Sequence, residues 1–318
     1  MNRVESRLPQ LGRLFLTDAG LESDMIFNHG FDLPCFSAIT LLTTDRGRAA
    51  LDLYFRDFLE LAGRAGTGLI LESATWRASR DWAPALGLTR DELDDLNREA
   101  VAMLVGLRNE YQSAKLPIVI SGCHGPRGDG YDPGKIMSYD EAADYHAHQA
   151  SVLAAAGADM LSGMTMTNVN EAVGVARAAE EAGLPVAISF TVETDGTLPT
   201  GDQLGAAIAE TDDLTGGYPA YYMVNCAHPS HFAKPLLEGG EWVSRLRGLR
   251  ANASRCSHAE LDAMTELDEG SPSELGSEYR ALVERLPQLT VLGGCCGTDI
   301  RHVSAIADAC ADVRAVAA

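Results

Sequence analysis

Long hydrophobic runs are missing from this chain of 318 residues. Nothing approaches the ~18 consecutive apolar residues that a membrane-spanning helix requires, so no membrane role is expected. Basic residues are scarce: 25 Lys and Arg stand against 45 Asp and Glu, a formal net charge of −20. Nucleic acids and anionic bilayers need a positive surface, and this balance excludes both as main partners. The acidity is read as a solvated surface that keeps the protein soluble. The opening segment MNRVESRLPQLGRLFLTDAG has neither a long apolar core nor a small-residue cleavage site, so no secretory leader is expected. Cysteine is present in an odd number, seven, in a long chain. That does not suit a secreted disulfide framework, and a reducing cytoplasm is the expected compartment. Also absent are a Walker loop, a Gly-x-Gly-x-x-Gly turn after a strand and a His-Glu-x-x-His helix, so no nucleotide, flavin or nicotinamide is expected. No Pro-, Gly- or Ser-rich linker and no long-period repeat divides the chain. A single domain over residues 1–318 is therefore expected.

What is present is a regular alternation of short apolar runs with helical patterns. Strands are expected at 14–17, 68–71, 118–121, 159–161, 186–189, 222–225, 246–249 and 290–292. Eight strands interleaved with helices imply an α/β fold of the (β/α)8 TIM barrel type, which commonly runs to ~250 residues or more. Thr89 with Glu92 and Ser138 with Glu141 read as capping boxes, and Asn168 with Glu171 as a weaker helix start. Three apolar stripes at helical spacing are expected to pack outside the barrel. They are Leu51, Phe55, Phe58, Leu59 and Ala62; Leu93, Leu96, Ala100, Leu104 and Leu107; and Ile300, Val303, Ile306, Cys310 and Val313. The acidic stretch 252–273 is too long for a routine turn and reads as a short helix, a lid or an oligomer contact.

Two segments carry the chemistry, VNCAHP (224–229) and LGGCCGT (292–298). Both start at the C-terminal end of an expected strand, the face where barrel enzymes place active sites. Adjacent cysteines are poorly placed to bond each other but can reach one metal if the backbone turns between them. Gly293, Gly294 and Gly297 permit that turn. With Cys226, the residues Cys295 and Cys296 would give zinc three thiolates and leave a fourth position open, the pattern of a catalytic site. The alternatives are an accident of packing or an oxidation-sensitive pair. Among the histidines, His228 lies beside the metal loop as a substrate contact rather than a ligand. His146 and His148 are two apart on a helix and point in different directions. His29, His124, His258 and His302 have no partner in sequence. Cys35 and Cys123 read as free thiols.

GGCCGT with an upstream NC resembles the zinc signature of the homocysteine S-methyltransferase family. TDAGLES (17–23), ESATWRAS (72–79), GCHGPRGDGY (122–131) and SFTVETDGTLPTGD (189–202) resemble further family segments, in order, over almost the whole chain. The resemblance implies Zn2+ on Cys226, Cys295 and Cys296, Asp18 at the substrate's polar end, and Thr75 and Asn225 lining the thiol pocket. It implies transfer of a methyl group to homocysteine, giving methionine. With no segment resembling a folate or cobalamin domain, a simple sulfonium or betaine-like ammonium donor is expected. One position departs. The family's fourth-strand glutamate, which holds the amino group of homocysteine, corresponds to Met164 in GMTMTNVNEA. A thioether cannot partner an ammonium. Either Glu72, Glu22 or Asp18 takes over, with Glu72 favoured by its strand-end position, or the acceptor is another thiol or selenol. A barrel that only binds zinc or thiols is the reading from outside enzymology. The expected partners are a small-molecule thiol acceptor and a methyl donor, with a homo-oligomer as the expected assembly and neither nucleic acid nor membrane among them.

Overall fold

The computed structural model describes residues 8–315. Eight strands close into a parallel barrel in sequence order, with β1 pairing both β2 and β8. They are β1 (Phe15–Leu16), β2 (Gly68–Glu72), β3 (Ile118–His124), β4 (Met160–Met166), β5 (Val186–Phe190), β6 (Tyr221–Asn225), β7 (Leu246–Ala251) and β8 (Val291–Gly294). Each overlaps its expected segment. β3 and β4 run further because small and polar residues there end the apolar run without ending the strand. Gly122 is one: a Cβ on it would come within 2.8 Å of Leu161 and 3.0 Å of Leu153. Close helix–sheet packing selects glycine at that point, not a turn.

The outer helices are α1 (Asp45–Ala65), α2 (Arg90–Tyr111), α3 (Tyr139–Ala155), α4 (Val169–Glu181), α5 (Leu204–Thr215), α6 (Pro229–Glu238), α7 (Pro272–Arg285) and α8 (Ile300–Ala315). Both expected capping boxes form, at the starts of α2 and α3. At α4, Asn168 accepts from the Glu171 N–H at 2.9 Å, but the Glu171 carboxylate turns away to His146 and the Arg127 N–H. The first two apolar stripes are buried throughout, and so are Val303, Ile306 and Cys310 of the third. The side chain of Val313 lies outside the described residues. Among the described residues, no helix is long and apolar enough to cross a membrane.

Strand periodicity decides what faces the lumen, because successive side chains alternate across the sheet. Phe15, Ile70, Val119, Met160, Tyr221, Met223 and Val291 pack together inside the barrel. The 3-10 turn Pro9–Leu11 brings Gln10 beneath them, 3.3 Å from Met160 Sδ and 3.5 Å from the Tyr221 hydroxyl. Toward the C-terminal ends, the inward positions carry Glu72, Cys123, Met164, Asn225 and Arg250, which line a cavity. His124 falls on the other parity. It is fully buried outside the lumen against His146, with ring centroids 5.9 Å apart.

Tyr279 of α7 fastens the rim. Its hydroxyl donates to the Gly293 carbonyl and accepts from the Ala251 N–H, both at 2.7 Å. Tyr279→Phe leaves the buried Ala251 N–H without its acceptor. The expected loss is about 1–3 kcal/mol of folding stability, read from urea denaturation at unchanged slope.

Candidate active site

Three thiols meet at the C-terminal mouth of the barrel. Cys226 follows β6, and Cys295 and Cys296 follow β8. Their sulfurs lie within 4.8 Å of one another, with Cys226 and Cys296 3.4 Å apart. All are free cysteines, and among the described residues they form the one metal-competent group of three or more side chains. A tetrahedral zinc with Zn–S bonds of about 2.3 Å sets its sulfurs about 3.8 Å apart, so the spacing fits the ion.

The backbone is bent to make this triangle. Cys226 adopts φ 57° and Thr165 on β4 adopts φ 61°, a left-handed conformation that non-glycine residues rarely hold without support. Asn225 supplies support at both ends of its amide. Its Oδ1 accepts from the Thr165 N–H at 2.9 Å and from Ser189 Oγ at 2.6 Å. Its Nδ2 donates to Thr165 Oγ1 at 2.8 Å and reaches Cys295 Sγ at 3.7 Å. Of the three glycines around Cys295 and Cys296, only Gly297 has a positive φ, 78°. Gly293 and Gly294 are there for space, because a Cβ would strike the Thr17 and Thr298 side chains respectively.

The three thiols do not ionise alike. Hydrogen bonds from Cys226 and Cys296 hold Cys295 well below the ordinary thiol range, and Arg250 and Asn225 add to this. Cys226 is pushed well up by its bonding to Cys295 and Cys296 and by burial. One side of the triangle is covered by Tyr131, from the loop after β3. Its hydroxyl sits 3.2 Å from Cys226 Sγ and 3.8 Å from Cys296 Sγ. Burial and the neighbouring Cys226 raise its phenol well above the usual range, so it stays protonated. His258 stacks on the Tyr131 ring at 3.9 Å, and its Nε2 lies 2.9 Å from the Cys226 carbonyl. This histidine belongs to the acidic stretch, which forms the short helix His258–Ala263 and then runs along the cavity, lining it with Leu261, Asp262, Met264, Glu266, Leu267 and Asp268.

The cavity has a volume of about 460 Å³. Arg250 is buried at its inner end, where Nη2 pairs with Asp18 Oδ1 at 2.6 Å and donates to the Ala19 carbonyl at 3.0 Å. Asp18 also accepts from the Tyr54 hydroxyl at 3.3 Å. Burial pushes the Asp18 carboxyl up to about 6, against the pull of Arg250. Glu72 accepts from Ser162 Oγ at 2.7 Å; burial raises it too, while Arg250 and Ser162 pull it down. Met164 forms an apolar wall, with its carbonyl accepting from Trp76 Nε1 at 3.3 Å.

The sequence pattern described as homocysteine S-methyltransferase matches residues 16–310. The chain belongs to the homocysteine S-methyltransferase family. Among curated members, homocysteine S-methyltransferase 2 of Arabidopsis thaliana is 26% identical, over 96% of this chain and 95% of that protein. A selenocysteine Se-methyltransferase of Brassica oleracea var. italica is also 26% identical, over 95% of this chain and 90% of its own length. Among solved structures, the oxidised homocysteine methyltransferase MmuM of Escherichia coli superposes with a TM-score of 0.74 over 96% of this chain and 99% of its own. At 20% identity that likeness shows the shared barrel fold.

Within this family member, the structure brings Asp18, Glu72, Met164, Asn225, Cys226, Cys295 and Cys296 to one cavity. Thr75 is the exception and corrects the expectation from resemblance. It is fully buried behind the wall, where its hydroxyl donates to the Cys123 carbonyl at 2.7 Å. His228 instead caps α6 through the Ser230 N–H, with Nε2 3.3 Å from Glu278. His146 and His148 diverge as expected, to buried Glu171 and exposed Asp94. Cys123 lines the cavity, and Cys35 does not. Sequence reasoning missed Arg250, Tyr131 and His258. The one available signal was Arg250, a charge directly after the apolar run of β7.

Arg250→Met removes the buried cation between Asp18 and Glu72, with an expected loss of about 3–5 kcal/mol above neutral pH. Burial pushes the Asp18 carboxyl up to about 6 from the ordinary aspartate value of 3.8. Folding therefore favours its protonated form. That contribution is fully present below the lower value and lost as pH rises through the higher one. Without Arg250 both carboxyls rise further, so the deficit measured by denaturation is largest above neutrality, shrinks as pH falls towards about 6, and levels off for Asp18 below that value.

Proposed function

We propose that this chain is a zinc-dependent S-methyltransferase that moves a methyl group from a small sulfonium or ammonium donor to the thiol of homocysteine. The observation that carries this reading is the convergence of Cys226, Cys295 and Cys296 at the floor of an open cavity. Zinc held there would favour the thiolate form of an entering thiol, the nucleophile that methyl transfer needs.

The chain's own residues do the rest. Asn225 holds the Cys295 sulfur, and Tyr131 with His258 walls one side. The outer cavity is lined by Trp76, Phe36, Asp129, Asp262, Glu266 and Asp268. Carboxylates and aromatic faces favour a cation, which supports an onium donor over a neutral one. In the transfer, the acceptor sulfur's electron pair forms the new S–CH3 bond. The donor's bond to that carbon breaks, its electron pair stays on the donor's sulfur or nitrogen, and the donor leaves neutral at that atom. Holding both reactants in line supplies much of the acceleration. A reducing cytoplasm suits three free thiols of this kind.

A second reading is transfer to a selenol or a different thiol. It is favoured by the apolar Met164 wall, and one relative is itself named a selenocysteine Se-methyltransferase.

Cys296→Ser is expected to lower zinc affinity by more than about 100-fold, by competition with a chromophoric chelator, and to abolish methylation of L-homocysteine. Turnover by metal-free wild-type protein, assayed with S-methylmethionine, S-adenosylmethionine and glycine betaine in turn, would sink the zinc-dependent reading.

A further inference from the structure

An acceptor that is an α-amino acid brings an ammonium group into the cavity, and a cation withdrawn from water needs an anionic partner. Three carboxylates line the inner cavity, those of Asp18, Glu72 and Glu22. The first two are already engaged. Asp18 is paired with Arg250 and accepts from Tyr54. Glu72 accepts from Ser162 and lies in the field of the same arginine.

Glu22 is differently placed. It stands in the first turn of the short helix Leu21–Phe27, half-buried, on the cavity wall. Its carboxylate bonds only to its own backbone N–H. The cavity's two arginines are committed elsewhere, Arg250 to Asp18 and Arg77 to Asp129. Cys295 and Asp18, both of its own sign, bear on Glu22 more strongly than Arg250, the one opposing charge, which makes no ion pair with it. A cation among these groups would relieve that repulsion, and in the reading above the acceptor sulfur would be held by zinc at the site that Cys295 helps to form. An ammonium a few bonds from that sulfur therefore falls within the field of Glu22.

We infer that Glu22 is the specificity-determining residue that recognises the acceptor's α-ammonium group, in place of a carboxylate at position 164. The inference rests on the reading of the acceptor as an amino-acid thiol. Met164 then packs against the acceptor's methylene carbons and does not meet its charge.

The test compares L-homocysteine with 4-mercaptobutyrate, the same thiol acid without the amino group, on zinc-loaded full-length protein. Wild type is measured first. No turnover of L-homocysteine would overturn the acceptor reading and this inference with it. With wild type active, Glu22→Gln is expected to raise KM for L-homocysteine about 10- to 100-fold, with the loss falling on KM and not on kcat. The preference for L-homocysteine over 4-mercaptobutyrate, as a ratio of kcat/KM, is expected to fall by the same factor. Glu22→Asp restores part of it. An unchanged ratio in Glu22→Gln, whether from no loss or from equal loss on both thiols, overturns the assignment of Glu22 while leaving the acceptor reading intact.

Discussion

The amide of Asn225 is the joint on which the site depends. At the end of β6, it binds the backbone and hydroxyl of Thr165 on β4, the hydroxyl of Ser189 on β5 and the sulfur of Cys295 beyond β8. Two of the positions it steadies, Thr165 and its own neighbour Cys226, hold left-handed backbone without being glycine. Strain of that kind costs on the order of 1–3 kcal/mol per residue and persists only where surrounding contacts over-determine it. The closed barrel supplies such contacts, because strands far apart in sequence are held in a single register around the lumen.

Charge inside the barrel follows a related logic. Arg250, Asp18 and Glu72 are all buried, and each would be expensive alone. Arg250 lies between backbone carbonyls of Ala19 and Gly294 and the Asp18 carboxylate, so β7 is stitched to the segments after β1 and β8. The same guanidinium helps keep Cys295 ionised. The polar end of the lumen is therefore both a structural tie and an electrostatic bias on the sulfur site. Tyr131 and His258 extend that bias outward, one stacked on the other against the Cys226 segment.

Much of this was legible in the residues before any fold was known. Eight apolar runs announced eight strands, and capping pairs such as Thr89 with Glu92 announced helix starts, because both signals are local. Cys226, Cys295 and Cys296 were legible because each follows an apolar run at the barrel's C-terminal face, and the glycines around Cys295 and Cys296 mark a tight turn there. Thr75 was placed wrongly by analogy, since a hydroxyl can face a cavity or bond a carbonyl behind it, and only the Cys123 carbonyl at 2.7 Å decides. His124 needed the strand parity, and His258 needed the path of a long acidic segment back to Tyr131.

The sequence by itself determined the alternation of strands and helices through periodicity, the three sulfurs through residue types with narrow chemistry, and the family through the resemblance of its ordered segments. Only the tertiary structure decided which carboxylates are occupied and which is left facing the cavity. Asp18, Glu72 and Glu22 are chemically alike, and what separates them is where one arginine from a distant strand comes to rest. That position is set by closure of the barrel, an arrangement that no local pattern records.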